Sequence, residues 1–338
     1  MQQLNRRQKE ILRCTIRQYV DSACPVGSKH LVKQYSLVFS PATIRSEMSN
    51  LEDMGYLSQP HVSAGRVPTE KGYRFYVDTL MQSRGLSREE KQAVQDTIND
   101  AGTDMNTILV EASKILSSIS QELSVVITPW IAWGVFDKLE LIPLTEGKAL
   151  AVIYVKSRLV KTVVLKIDAD ITESDLLGAS SVLNERLSGL TLQEIQETIQ
   201  ERIRDVHEPY RDIVRTISCC SGALFNFAEP LDVHYSGTRN IIRQPEFSSS
   251  DRMESLFALI DDKNRLKNIF DRGITDVKVY IGNENQSEEL KSLTVVATSY
   301  TRGRDTGALG VVGPTRMRYH KIVPLVHYVA STMSRSFS

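Results

Sequence analysis

Nowhere in the 338 residues is there a run of about 18 apolar residues, so no segment is long enough to cross a bilayer as a helix. Cysteine is scarce. Cys14, Cys24, Cys219 and Cys220 form no CxxC pair and have no histidine at metal-ligand spacing, which excludes a zinc-finger pattern and a disulfide framework. The adjacent Cys219 and Cys220 could close a strained vicinal disulfide, but four reduced thiols are the simpler expectation. The nucleotide and hydrolase signatures GxGxxG, GxxxxGKS, HExxH and GxSxG are also missing. The six histidines (30, 61, 207, 234, 320, 327) are scattered without cysteine or carboxylate partners. No catalytic, cofactor-binding or metal-binding residues are therefore expected. The stretch from Met1 to Arg7 is polar and basic and leads into no apolar segment, so a secretory signal is not expected and the cytoplasm is.

What is present is ordinary in bulk: 41% hydrophobic and 24% charged residues with zero net charge. The length predicts two or three domains, because single cores stop growing at about 250 to 300 residues. The charge is unevenly placed. Residues 1 to 84 hold 12 lysines and arginines against 7 aspartates and glutamates, so the remainder is acidic by the same margin. A basic end on an acidic body is the footprint of contact with phosphate, although a solvated charged face gives similar counts.

Hydrophobic spacing divides that basic end into three helices. Asn5 and Gln8 form a capping box ahead of Leu12, Ile16 and Tyr19 on one face. Pro25 Val26 Gly27 stops this helix, and Ser28 is read as the cap of a second, running to about Tyr35. Ser40 and Pro41 open a third, with Ile44, Met48 and Leu51 inward and Gly55 at its end. Three short helices with tight turns predict a helix-turn-helix. The third then turns Ala42, Ser46, Ser49 and Asn50 outward with Thr43 and Arg45 on the flanks, as suits a helix in the major groove. An ordinary polar surface would look the same. The next segment, Tyr56 to Thr69, predicts a hairpin whose tip displays His61, Ser63 and Arg66 to the backbone or minor groove, with Arg66 the groove candidate. Thr69 caps a fourth helix carrying Tyr73, Tyr76, Val77 and Leu80. The candidate DNA-binding residues are thus Ser28, Lys29, Ser40, Thr43, Arg45, Ser46, Ser49, Asn50, His61, Ser63 and Arg66.

The strings Pro25 Val26 Gly27 Ser28, Ala42 Thr43 Ile44 Arg45, Pro60 to Thr69 and Gly72 Tyr73 Arg74 resemble the HrcA family of heat-shock repressors. Gly310 Val311 Val312 Gly313 Pro314 Thr315 Arg316 Met317 resembles that family's C-terminal signature. Val62 stands where the family pattern has threonine, and Ser46 where it has asparagine. The resemblance implies a GAF-like sheet domain carrying an inserted dimerisation domain. It also implies an inverted-repeat operator upstream of chaperone operons and a repressor kept competent by the chaperonin GroEL.

Beyond the basic end, residues 83–104 read as a connecting segment with some helix. A helix follows with Ile108, Ala112, Ile115 and Ile119 on one face, then a meander of strands near 135 to 142, 149 to 155 and 160 to 167. From about 171 the period is helical. Leu176 to Leu187 line one helix ended by Gly189, Thr191 and Glu194 box the next, a third covers 210 to 221, and a fourth runs from about 251 to 271. Strands return at 276 to 281, 293 to 300 and 307 to 312, and a last helix follows Pro324. The expected class is α+β multidomain: winged helix-turn-helix 1–82, GAF-like domain 105–167 with 275–338, and a mainly helical insert 168–274.

Three ambiguities remain at this level. Leu192 and Ile195 mark a helix face that serves either a dimer contact or the core. The glycines at 303, 307, 310 and 313 either cradle a phosphate or lead into a buried strand, the latter favoured by the intervening Leu309, Val311 and Val312. Arg316 and Met317 are exposed candidates for a contact between domains or subunits. The functional expectation is a homodimer on an inverted-repeat duplex, with no membrane partner and no cofactor. The alternatives are a ligand-sensing regulator using the GAF-like domain and a winged module that binds only protein.

Overall fold

The computed structural model describes residues 4–337 except 63, 83–84, 131–134, 146, 157–158, 168–170, 207–208, 226–232, 249, 271–275, 286 and 304. The chain divides into two compact units, 1–128 with 233–301 and 307–338, and 129–232 with 302–306.

The first unit begins with α1 (Arg6–Ser22), α2 (Ser28–Tyr35) and α3 (Pro41–Asp53). The capping box of α1 forms as read: Asn5 Oδ1 accepts from Gln8 N at 2.9 Å and Gln8 Oε1 accepts from Asn5 N at 3.0 Å. Ala23 ends the helix in the left-handed region at φ 53°. Ser40 Oγ caps α3 by accepting from Thr43 N at 3.1 Å, with Pro41 in the first turn. Ile44, Met48 and Leu51 are buried, each worth roughly 1.5 to 3 kcal/mol on leaving water. Gly55 then takes φ +76° beyond the helix.

Two short strands follow, β1 (Leu57–Ser58) and β2 (Val67–Pro68), paired antiparallel as a hairpin. Thr69 starts α4 (Glu70–Phe75): its hydroxyl accepts from Gly72 N at 3.2 Å and donates to Gly55 O at 2.7 Å, tying the new helix to the end of α3. A π turn, Tyr76–Leu80, completes this head. The expected connecting segment is instead largely α5 (Arg88–Asp100), boxed by Ser87 and Glu90, whose Val94 and Ile98 are fully buried. Then come α6 (Met105–Ser120) and β3 (Leu123–Trp130), a strand absent from the sequence reading.

The second unit holds β4 (Phe136–Leu144), β5 (Lys148–Val155) and β6 (Leu159–Lys166), the expected antiparallel meander. Its helices are α7 (Glu173–Leu187), α8 (Leu192–Arg202), α9 (Arg211–Cys219) and α10 (Ser221–Leu224). The inward residues Leu139, Ala151, Ile153 and Leu165 share one core with Leu176, Leu183, Leu192, Ile195 and Ile217. This moves the expected boundary. The meander does not lie with the large sheet but covers the helices at 173–224, so the second compact unit takes in 129–232 where the insert was expected at 168–274, and it holds the three-stranded meander as well as four helices. Leu192 and Ile195, 2% and 0% exposed, belong to that core and do not offer a dimer face.

The chain re-enters the first unit with β7 (Val233–Ser236), which pairs antiparallel with β3. There follow α11 (Thr238–Ile242), α12 (Ser250–Asp261), α13 (Lys263–Phe270), β8 (Lys278–Ile281), β9 (Leu293–Arg302), β10 (Asp305–Pro314) and α14 (Tyr319–Ser336). The expected single helix at 251 to 271 is interrupted at Asp262, and the last helix starts before Pro324 and contains it. The sheet order is β7-β3-β10-β9-β8. Gly310 is where β10 runs against Val296 and Ala297 of β9, leaving no room for a Cβ. The glycines after 303 thus lead into a buried strand. All four cysteines are free thiols.

One buried carboxylate stands out in this unit. Glu122, 6% exposed, accepts from Gln244 Nε2 at 2.8 Å and lies against Gly313. Burial pushes its pKa from 4.5 up to about 8, opposed by the Gln244 hydrogen bond and by Arg316. Between those two values the folded chain holds a proton that the unfolded chain has released, so this group's effect is to lower stability as pH rises from 4.5 to about 8. Glu122→Gln is therefore expected to change little at pH 4.5 and to exceed the natural protein by on the order of 1 to 4 kcal/mol above pH 8. Urea titrations across that range check it, and a stability difference that does not vary with pH would contradict the assignment.

Candidate nucleic-acid interface

The outward side of α3 is open. Ala42, Arg45, Ser46 and Asn50 are exposed, with Thr43 and Ser49 half-buried beside them. A helical repeat of 3.6 residues places Ala42, Arg45, Ser46, Ser49 and Asn50 on one side. Lys29 is exposed on α2. Ser40 and Thr43 are partly committed to the cap, their hydroxyl oxygens 2.9 Å apart. Ser28 does not cap α2. The extended Gly27 precedes the helix, and Ser28 is its buried first residue at 8% exposure.

At the hairpin tip His61 is exposed and Val62 is 99% exposed, while Ser63 lies outside the described residues. Gln59 braces the tip by donating from Nε2 to the carbonyls of Val62 and Ala64, both at 2.9 Å. Arg66 is not at the tip. It sits at the foot of the hairpin with its side chain 17% exposed, its Nε 2.8 Å from Glu52 Oε2 of α3. Its backbone exchanges two hydrogen bonds with Val26, N–H to O at 2.9 Å in each direction. Gly65 makes that approach feasible, because a Cβ there would lie 2.7 Å from Val26 N and nearer still to its carbonyl. Arg66 is thus placed to set the hairpin against α3 and α2.

The sequence reading also missed how the head is held within its unit. Arg74 Nε donates to Glu284 Oε1 at 2.7 Å, Nη2 to Val279 O at 2.6 Å and Nη1 to Asp78 Oδ1 at 3.1 Å, and the Glu284 bond holds its guanidinium firmly protonated. Glu70 Oε2 accepts from Asn283 N at 3.2 Å and Nδ2 at 3.0 Å. Gly282, at φ +53°, leaves space for the Glu70 carboxylate. Arg316 pairs with Glu246 and donates from Nη1 to Val20 O of α1 at 3.3 Å. The expectation that Arg316 and Met317 are exposed is corrected, since they are 15% (side chain) and 1% exposed, but Arg316 does join the head to the body. The Tyr73 and Tyr319 rings meet at 5.9 Å, and burial drives the Tyr73 pKa well up. Contacts more than 200 residues apart in sequence carry no local signal.

Among the described residues no group of three or more His, Cys, Asp or Glu is arranged to hold a metal ion, and no helix is long and apolar enough to cross a membrane.

The family described as "HrcA protein C terminal domain" matches residues 106–323. The chain is 38% identical, over 99% of each sequence, to the heat-inducible transcription repressor HrcA of Chlorobium phaeobacteroides strain BS1. It is also 38% identical to that of Prosthecochloris aestuarii over 99% of this chain and 98% of that one. A crystal structure of a hypothetical protein superposes with a TM-score of 0.59 at 22% identity over 99% of both chains, a likeness of fold alone. The class these relatives define is a transcription regulator and not an enzyme. The chain belongs to the HrcA family of heat-inducible transcription repressors, as its motifs indicated.

Gly65→Ala is expected to push the hairpin off Val26 and cost roughly 1 to 3 kcal/mol of local stability. Amide exchange should quicken at Val26 and Arg66 before α1 is affected, and unchanged protection there would show that the hairpin does not depend on that contact.

Proposed function

We propose that this protein represses transcription by placing α3 in the major groove of an operator while the hairpin lies alongside, so that the head is a winged helix-turn-helix. The observation that carries this reading is the exposed polar face of α3, with Arg45, Ser46, Ser49 and Asn50 turned away from a core built on Ile44, Met48 and Leu51. Lys29, Ser28 at the start of α2, and Ser40 and Thr43 at the cap of α3 are assigned to the phosphates beside the groove, where the first-turn amides and the helix dipole favour anions. His61 and Ser63 are assigned to the hairpin's backbone contact. Arg66, paired with Glu52, serves to orient the hairpin. The relatives' names and the basic composition of residues 1 to 84 support a cytoplasmic repressor on chromosomal DNA.

In the same reading the sheet of the first unit is the GAF-like body, and 129–232 is the inserted dimerisation unit. Its outward sheet face supports a homodimer. Ile142, Leu150 and Val164 are in register across three strands, next to Leu144 and Val160, and four of these five side chains are 43% to 57% exposed. Two-fold symmetry then pairs two heads with an inverted repeat. The family resemblance adds GroEL as the partner that keeps the repressor competent. A ligand-sensing reading has in its favour a cleft of about 210 Å³ between α1 and the start of α14, lined by Arg17, Arg318, His320, Lys321 and Asp21. That is below the roughly 300 to 1,000 Å³ usual for small-molecule sites, and a wider cleft of about 550 Å³ lies at the start of α1, against Arg7, Phe39 and Glu47, away from the sheet read as GAF-like.

Arg45→Ala should weaken operator binding by about 1 to 3 kcal/mol and relax one base pair, whereas Lys29→Ala should weaken operator and random duplex alike. Removing one phosphate contact should flatten the plot of log affinity against log salt by about 0.9. Gel shifts at a series of fixed salt concentrations, with and without GroEL, measure both, and equal losses on both duplexes for every α3 variant would refute the groove assignment. For the dimer, Val164→Asp should give a monomer by light scattering with its fold intact. A dimer that survives would move the interface elsewhere.

A further inference from the structure

The cleft between α1 and the start of α14 carries more positive than negative charge. Arg17 lines it from α1 and Arg318, His320 and Lys321 line it from α14, against the single carboxylate of Asp21. The rest of its wall is uncharged. Two of these cations are paired, one of them loosely. Arg318 Nη2 is 3.3 Å from Asp21 Oδ1 with both side chains 60% exposed, so water screens the pair and it holds the arginine weakly. Lys321 Nζ is 2.7 Å from Glu90 Oε1, which belongs to α5 and lies outside the lining.

Arg17 is different. It is half-buried and makes no ion pair and no hydrogen bond among the described residues. A guanidinium partly withdrawn from water and given no acceptor in return is costly, and an anion in the space it lines recovers that cost. The first turn of α14 adds to the same demand, because it has neither an acidic residue nor a side-chain cap. Size then selects the anion. A volume of about 210 Å³ is less than a drug-sized ligand fills, yet it equals several water molecules at roughly 30 Å³ each, enough for one tetrahedral phosphate group. The donors suit phosphate as well, since a guanidinium offers two N–H groups to two oxygens in one plane and an ammonium adds a point charge.

We propose that this cleft binds a phosphate group, as inorganic phosphate or as the end of a small phosphomonoester, with Arg17 as its main ligand and Arg318 and Lys321 closing on it. Arg17 belongs to the head and the other two to the body, so the bound group ties head to body beside the contact of Arg316 with Val20. No lining residue comes from α2, α3 or the hairpin. The site therefore stands apart from the proposed groove face and does not depend on it.

The test is amide exchange of the full-length protein without DNA, across a series of potassium phosphate concentrations at ionic strength held constant with potassium chloride. Exchange around Val20 and Asp21 and around His320 and Lys321 should slow along a saturating curve, half complete at about 1 mM or below. Exchange in α7 should not change. Arg17→Gln should raise the midpoint about tenfold or more with its melting temperature intact, and Arg17→Lys, which keeps the charge and loses the fork, should fall between. A second series with glycerol 3-phosphate separates the sources: a lower midpoint than that of inorganic phosphate assigns the site to an ester, a higher one to the free ion. Slowing that extends to α7 without saturating is the general effect of an excluded salt and overturns the proposal, as does an Arg17→Gln curve that matches the natural one. Loss of the phosphate effect once operator duplex is bound would give Arg17 to a DNA phosphate and overturn the free-ligand site, while the groove reading keeps its own test by gel shift.

Discussion

The mutual angle of hairpin and helices in the head depends on a double backbone hydrogen bond between Val26 and Arg66. Val26 sits in the turn between α1 and α2, and Arg66 at the foot of the hairpin, so one contact connects the two halves of the head. It forms only because Gly65 has no side chain to hold the backbones apart. The Arg66 side chain then reaches Glu52 on α3, so the residue that closes the hairpin also registers it against the helix that faces outward. The one arginine between Pro60 and Thr69 is in this case a structural tie, and its charge is answered inside the protein.

The same logic continues from head to body. A single hydrophobic cluster runs from Ile11, Ile44 and Leu51 through Tyr73 to Tyr319, Leu325 and Val329. Around it Arg74, Glu70 and Arg316 reach Glu284, Asn283 and Glu246. These are partly buried, hydrogen-bonded pairs, whose loss leaves a charge without its partner, and so they resist sliding more than a loose surface pair does. In the proposed dimer this rigidity would matter directly, because each head must keep its bearing on its own body if two of them are to meet half-sites at one spacing. The C-terminal signature thus contributes to the head's placement by packing, with Met317 buried and Arg316 clamped on Val20.

The inserted unit is built on a different principle. Its three-stranded sheet buries one face on α7 to α10 and leaves the other, with Ile142, Leu150, Val160 and Val164, turned outward. A sheet with one covered and one apolar uncovered face is incomplete as an isolated layer, which is the physical ground for assigning the second copy to it. The helices that carry the strongest apolar stripes spend them internally.

Local chemistry alone determined much of this protein. The boxes at Asn5 and Gln8 and at Thr191 and Glu194, the caps at Ser40 and Thr69, the stop at Gly55 and the meander between 136 and 166 follow from side chains within a few residues of one another, and so does the outward face of α3. Tertiary structure decided what depends on distant partners. Arg66 was drawn from the hairpin tip to Glu52, Ser28 was buried behind Gly27, and Arg316 was turned inward onto Glu246. The strands at 136 to 166 were assigned to the inserted unit because their inward residues match the stripes of α7 and α8, a fit that no single strand records. Capping and periodicity act within one or two helical turns and are written in neighbouring letters, whereas ion pairs and packing are chosen among all surfaces that the folded chain brings within reach.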